Sequence, residues 1–307
     1  GVIEMSYPAS ERSILFEQMH ESQNWFTISH DGWHLPATFE KHDWCGKWSY
    51  RGCLNVPGHA GTDCSSKAFI KTYARSCYRA DCEICWKKWL ARESNKATKR
   101  IEHAEKKLKK SVKHIVLSVP RWLYGKDKKE LSKIARNILK AVNCEGNAMI
   151  FHPFRYNKDT RIWYYSPHFH CLGFGWIENV VETYNKEGWI IKNKGQREST
   201  FATFYYILSH AGIKKRNHAL VWCGSISYVK LKMKKEQKET KKCPFCNEEL
   251  HELYFIGDYT KKPPDLDCEV FDDCDNWALV NQCEYEEATF QYNEIGFVNE
   301  IISQIAN

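Results

Sequence analysis

The sequence predicts an α+β fold: an antiparallel sheet of the ferredoxin-like or RNA-recognition type, with its helices on one face and zinc-binding extensions at both ends. Three observations carry this expectation. Between residues 111 and 235, short apolar runs and amphipathic stretches alternate in the order β-α-β-β-(β)-α-β. Two C-x-x-C pairs, Cys82/Cys85 and Cys243/Cys246, stand out among fourteen cysteines. A hydrophobic content of 43% over 307 residues is enough to build a real core.

The elements follow in chain order. Residues 114–119 (HIVLSV) read as a short buried strand that ends at Pro120. Residues 127–142 carry Leu131, Ile134, Ala135, Ile138, Leu139 and Val142, the apolar stripe of an amphipathic helix. Residues 147–155 (NAMIFHPFR) give a second strand, and 161–176 contain a third. Residues 188–192 suggest a short extra strand, 198–213 (ESTFATFYYILSHAGI) a second helix, and 219–229 a last strand. In the expected topology the first and third strands are central, and the third bears His168 and His170.

Outside this unit the chain changes character. Residues 1–110 form a Trp-, His- and Cys-rich region that ends in a basic helix over 92–113. Its sparse apolar positions, Ile101, Ala104 and Leu108, read as a solvated connector rather than a DNA-binding helix. A charged linker, 230–242, leads into a C-terminal region, 236–307, that opens with C-P-F-C. The formal charge of +7 mildly favours a polyanionic partner. With no apolar run of 18 residues, no membrane helix is expected, and the start GVIEMSYPASERSILF lacks the pattern of a signal peptide. The expected location is cytoplasmic, where cysteines serve metals rather than disulfides. No phosphate-cradling G-x-x-x-x-G-K-[ST] loop is present, which argues against a nucleotide-hydrolysing motor.

Two motifs carry chemistry. In Pro167-His168-Phe169-His170 the histidines sit at i and i+2 of a strand, so both imidazoles reach one face and can share a metal ion. In Tyr206-Ile207-Leu208-Ser209-His210 the tyrosine and histidine sit at i and i+4 of a helix and share one face. If that helix covers the third strand, His210 completes a three-histidine site with Tyr206 in reach of whatever the metal holds. Tyr205 competes for that role but lies about 100° around the helix. His152, before Pro153, reads as structural. Arg155, Lys214, Lys215 and Arg216 are candidate phosphate contacts, weighed against ordinary surface charge.

The segments P-H-F-H-C-L-G-F-G and F-Y-Y-I-L-S-H, with the strand H-I-V-L-S-V-P, resemble the HUH endonucleases. The resemblance is nearest to the rolling-circle replication initiators of archaeal plasmids or viruses and covers roughly residues 111–230. It implies a catalytic Mg²⁺ or Mn²⁺ ion held by His168 and His170, with His210 as third ligand in place of the glutamine of the Y-x-x-x-Q transposase branch. It implies Tyr206 as nucleophile, single-stranded or origin-hairpin DNA as substrate, a 5′-phosphotyrosine intermediate, and a host polymerase and helicase as partners. The chain departs from many initiators in lacking a lysine three residues after the tyrosine and a second tyrosine four residues away. The leaving-group role is thus unassigned, and one tyrosine acts per chain.

The remaining motifs read as structural zinc. Cys77, Cys82 and Cys85 supply three thiolates, with Cys53 favoured as the fourth over Cys45, Cys64 and His59. Cys243 and Cys246 form a knuckle whose partners stay open among Cys223, Cys268, Cys274, Cys283 and His251. Two alternatives to a nicking initiator remain: an HUH transposase or relaxase, and a non-catalytic zinc-containing nucleic-acid binder that stacks bases on Trp163, Tyr164 and Tyr165.

Overall fold

The computed structural model describes residues 17–38, 41–175, 180, 182, 184, 188–196, 199–234, 241–257, 269–272 and 274–280. In chain order the strands are β1 (Ser29–His30), β2 (Trp33–His34), β3 (Trp48–Cys53), β4 (Ala68–Ala74), β5 (Lys113–Ser118), β6 (Gly146–Asn157), β7 (Ile162–Phe174), β8 (Ile190–Asn193), β9 (Leu220–Gly224), β10 (His251–Phe255), β11 (Glu269–Asp272) and β12 (Trp277–Leu279). The helices are α1 (Trp86–Leu108), α2 (Lys128–Ala141) and α3 (Thr200–Ser209). The fold is α+β, and its sheets are antiparallel. Among the described residues no helix is long and apolar enough to cross a membrane.

The chain divides into two compact units, 1–41 with 78–234 and 42–77 with 235–307. The expected border at 235/236 falls within one residue of this division, whereas the one expected at 110/111 does not divide the units. The physical reason is strand pairing across long sequence separations. In the second unit β10 pairs with β3 through Leu253 opposite Tyr50, so the cysteine-rich stretch after residue 42 joins the C-terminal region in one five-stranded sheet, β11-β4-β3-β10-β12.

The first unit is built on the sheet β8-β5-β7-β6-β9, with β7 at its centre. The predicted elements all form, but the arrangement differs from expectation in two ways. The last strand, β9, pairs with β6 instead of β5, and β8 takes the edge beside β5. The helices also lie on both faces. Alternation in β5, β6 and β7 sends Ile115, Leu117, Met149, Phe151, Phe169 and Cys171 to one side, where they pack with Leu131, Ala135, Ile138 and Leu139 of α2. Ala148, Ile150, Leu172 and Phe174 face the other side and pack with α1 and α3. Both faces of the sheet are apolar in period two, so each needs a helical cover.

Local chemistry starts and stops these helices. Asp127 caps α2 by accepting a hydrogen bond from the Glu130 amide at 2.8 Å, and Ser199 caps α3 by accepting from the Ala202 amide at 3.1 Å. α1 is not the solvated connector expected from its charge. Trp86, Trp89, Leu90, Ala97, Ile101 and Ala104 are buried against the sheet. Even Arg100 is buried, donating to the carbonyls of Ile226, Ser227 and Leu231 and so fixing the chain that follows β9. The basic residues between these positions hid a stripe of core contacts, each large apolar member of which contributes about 1.5–3 kcal/mol.

Candidate metal centre

The α1/α3 face of the sheet carries a cluster of histidines. On β7, His168 and His170 project to that face, while Phe169 between them is fully buried on the other. On β6, His152 stands directly opposite His168, and Ile150 opposite His170. Pro153 follows and brings a register irregularity between His152 and Phe154, because proline has no N–H for the ladder. One nitrogen from each of His152, His168 and His170 falls within 4.8 Å of the others, a spacing that could hold one metal ion.

The donor set fits a cation. His168 Nδ1 lies 2.9 Å from the Ser166 carbonyl and His170 Nδ1 lies 2.8 Å from His114 Nε2, which leaves both Nε2 atoms for coordination. His152 is completely buried, and neither of its ring nitrogens has a hydrogen-bond partner. A buried imidazole with no partner is costly, and a bound cation would remove that cost. Burial first, and neighbouring positive groups second, hold all three histidines well below the ordinary value of 6.5. They are therefore neutral at physiological pH, the form that binds metal.

Two expectations are corrected here. His152 was expected to be structural, and His210 was expected to be the third ligand. The structure brings His152, not His210, into the trio with His168 and His170. His210 is the C-cap of α3, which ends at Ser209, and its ring nitrogens fall outside the set whose ligand atoms lie within 4.8 Å of one another. His210 stands between the trio and the tyrosine. Its ring centroid is 4.6 Å from His152 and 4.9 Å from Tyr206. Burial pushes His210 down to about 3.

The helix register separates the two tyrosines. Tyr206 is 37% exposed and edges onto His210. Tyr205 packs against the α1/α3 core, with its ring 5.8 Å from Phe201. The end of α3 is anchored beside the histidines, since the Gly212 amide donates to the Phe151 carbonyl at 2.9 Å. Glycine is required there: a Cβ at 212 would lie 2.5 Å from Pro153 Cδ.

The aromatic residues offered as stacking platforms are placed otherwise. Trp163 is buried, with its ring 5.6 Å from Trp25 and its indole N–H donating to the Met19 carbonyl. Tyr165 stacks on His30, and only Tyr164 of the three is exposed. At the far end of the sheet, about 17 Å along the strands from His168, a cavity of about 980 Å³ is lined by Lys109, Lys110, Lys113, Arg136, Lys140 and Lys230 against one carboxylate, Glu145.

In the second unit, Cys53, His59, Cys243 and Cys246 converge, with their ligand atoms within 4.8 Å of one another. Cys53 Sγ is 3.5 Å from Cys246 Sγ, and Cys243 Sγ is 3.3 Å from His59 Nε2. His59 Nδ1 is held 2.9 Å from the Lys67 carbonyl, which directs Nε2 to the sulfurs. Burial, above all, and the adjacent Cys246 and Cys243 thiols raise Cys53 to about 12. This Cys₃His set could hold a metal such as zinc in the closed tetrahedral geometry of a structural site.

Cys53 therefore belongs with the knuckle, not with Cys77, Cys82 and Cys85 as expected, and His59 belongs with it too. β3 and the 3₁₀ turn Val56–His59 bring these two residues to the knuckle, an outcome of tertiary pairing that spacing does not encode. Of the partners considered for the knuckle, Cys268 and Cys283 lie outside the described residues. Cys223 sits in the first unit, and neither Cys274 nor His251 is in the set. Cys82 and Cys85 are buried where the chain enters α1. Cys45 and Cys77 belong to the second unit.

No protein-family model, curated protein or solved structure matches this chain.

Proposed function

We propose that the first unit is a metal-dependent endonuclease of the HUH type that nicks and rejoins single-stranded DNA, the chemistry of rolling-circle replication initiators. The observation that carries this reading is the convergence of His152, His168 and His170 with Tyr206 standing one histidine away. Two strands and a helix from separate parts of the chain supply these groups, and a merely polar sheet face has no need of them.

A divalent ion such as Mg²⁺ or Mn²⁺ held by His152, His168 and His170 would polarise a non-bridging phosphate oxygen. The chain's own residues do the rest. His168 and His170 are oriented by Ser166 and His114. Tyr206 Oη gives up its proton and attacks phosphorus, the P–O3′ bond breaks, and the 3′ oxygen takes up one proton and leaves as a hydroxyl, so protons balance. The product is a 5′-phosphotyrosine, which a later 3′-OH reverses. His210, neutral and packed on Tyr206, positions the phenol. The lysine-lined cavity supplies a surface where the backbone of the same strand can lie. For zinc, the Cys₃His set of the second unit has a structural role in this reading.

The test is a denaturing gel of the full chain with end-labelled single-stranded DNA containing hairpins, with Mn²⁺ or EDTA. A protein–DNA band that needs metal and vanishes in Tyr206→Phe but not in Tyr205→Phe is the expected result. Tight binding with no such band for any divalent metal would instead make the chain a non-catalytic DNA binder.

A further inference from the structure

Arg155 is a half-buried cation on the same face of the sheet as the histidine trio. It follows the proline irregularity on β6, which returns its side chain to the face of His152. Its Nη2 donates to Ser118 Oγ at 2.7 Å and its Nε to Ser166 Oγ at 3.2 Å. Both serines adjoin His168. Ser118 is its cross-strand partner on β5, and the Ser166 carbonyl holds its Nδ1. Among the described residues no carboxylate pairs with Arg155. Lys214, the other candidate of that region, is paired with Asp31 at 3.2 Å.

A partly desolvated guanidinium beside a site built for a divalent cation is electrostatically unfavourable, because the two positive charges repel at low dielectric. Its two serine partners are neutral and satisfy hydrogen bonds without balancing the charge. An anion lying between metal and guanidinium relieves both problems at once. Tetrahedral phosphate suits this place, since arginine offers a planar fork of donors that matches two phosphate oxygens.

We propose that Arg155, held by Ser118 and Ser166, forms a phosphate-binding subsite beside the metal centre and takes one non-bridging oxygen of the anion that the metal also engages. The inference rests on the metal reading of the histidine trio and deepens it by naming the ligand class as a phosphoryl group. Among these residues Arg155 is the group placed to stabilise charge that builds on the phosphate.

The experiment uses the full chain loaded with Mn²⁺ and inorganic phosphate as probe. Bound Mn²⁺ speeds the ³¹P relaxation of any phosphate within reach of it. Wild type is expected to relax phosphate strongly, Arg155→Gln to lose that effect, and Arg155→Lys to weaken phosphate binding about tenfold while keeping the charge and the fold. Mn²⁺ titration of each variant shows that the metal site is intact. In the DNA gel, Arg155→Gln should slow adduct formation about 10²–10³-fold, with the larger change in kcat rather than KM. Unchanged phosphate relaxation in both variants, with Mn²⁺ bound, would overturn the subsite. Phosphate relaxation that depends on Arg155 in a protein forming no Tyr206 adduct would keep the subsite and reject nicking. An adduct formed at the wild-type rate by Arg155→Gln would keep nicking and reject the subsite.

Discussion

His170 Nδ1 lies 2.8 Å from His114 Nε2, so a histidine on β5 orients a histidine on β7 across adjacent strands. For His170 to bind a metal through Nε2, its Nδ1 must carry the proton and donate to His114. Such an outer partner fixes tautomer and ring orientation and raises the basicity of the ligand. His114→Ala is therefore expected to weaken Mn²⁺ or Co²⁺ binding about 10–100-fold while leaving the trio in place. Isothermal titration of the metal-free protein reads this directly. An unchanged affinity would remove His114 from the site.

The exchange of roles between His152 and His210 has a clear signature. His152→Ala should abolish metal binding at this centre, because it removes one of three donors. His210→Ala should leave metal affinity within about threefold of wild type and slow only the reaction of Tyr206, by about 10-fold or more. The Co²⁺ visible spectrum and the covalent-adduct gel separate the two effects. Loss of the Co²⁺ spectrum in His210→Ala would restore it as a ligand.

Buried neutral histidines make the metal-free protein acid-sensitive. His210 has a folded value of about 3 against an ordinary 6.5. Between these values the unfolded chain holds the extra proton and the folded chain does not, so stability is complete above pH 6.5 and is lost as pH falls toward 3. At pH of about 5.5, His210 alone costs on the order of 1 kcal/mol. His152, His168 and His170 act in the same direction. Denaturant melts of metal-free protein across pH 5–8 should show a falling midpoint on the acid side, steeper than in His210→Ala. A flat profile would mean that the histidines are not neutral and buried in solution.

The second unit should depend on its ion. Cys243→Ser or His59→Ala leaves three ligands and is expected to lower zinc content by about one ion per chain, measured by elemental analysis. Protease should then cut within residues 42–77 and 241–280, while the metal centre of the first unit still titrates. Equal zinc content in the variants would remove the Cys₃His assignment.

Gly212 offers a test of how α3 is placed. An alanine Cβ would meet Pro153 Cδ at 2.5 Å, with the Trp33 ring close behind. Gly212→Ala should cost about 1–3 kcal/mol in a denaturant melt and displace His210 from Tyr206. Stability equal to wild type would show that this approach is looser than 2.5 Å implies.

Sequence by itself determined the elements between residues 114 and 229 and the face that their side chains take, whereas the strands of the second unit were not legible in it. Period two along β7 separates His168 and His170 from Phe169, and period 3.6 along α3 separates Tyr206 from Tyr205. Those are local properties of backbone geometry, so they survive any packing. What only the tertiary structure decided is which elements meet. His152 looked like a core histidine until β6 paired with β7 in the register that sets it against His168. Cys53 and His59 joined Cys243 and Cys246 because β3 pairs with β10 across about two hundred residues, a choice that cysteine spacing cannot encode. α1 seemed solvated because its lysines and arginines dominate the count, yet the sheet's second apolar face needed cover and took its buried stripe. Local sequence sets the direction of each side chain; the pairing of distant strands sets its neighbours, and a metal centre is made of neighbours.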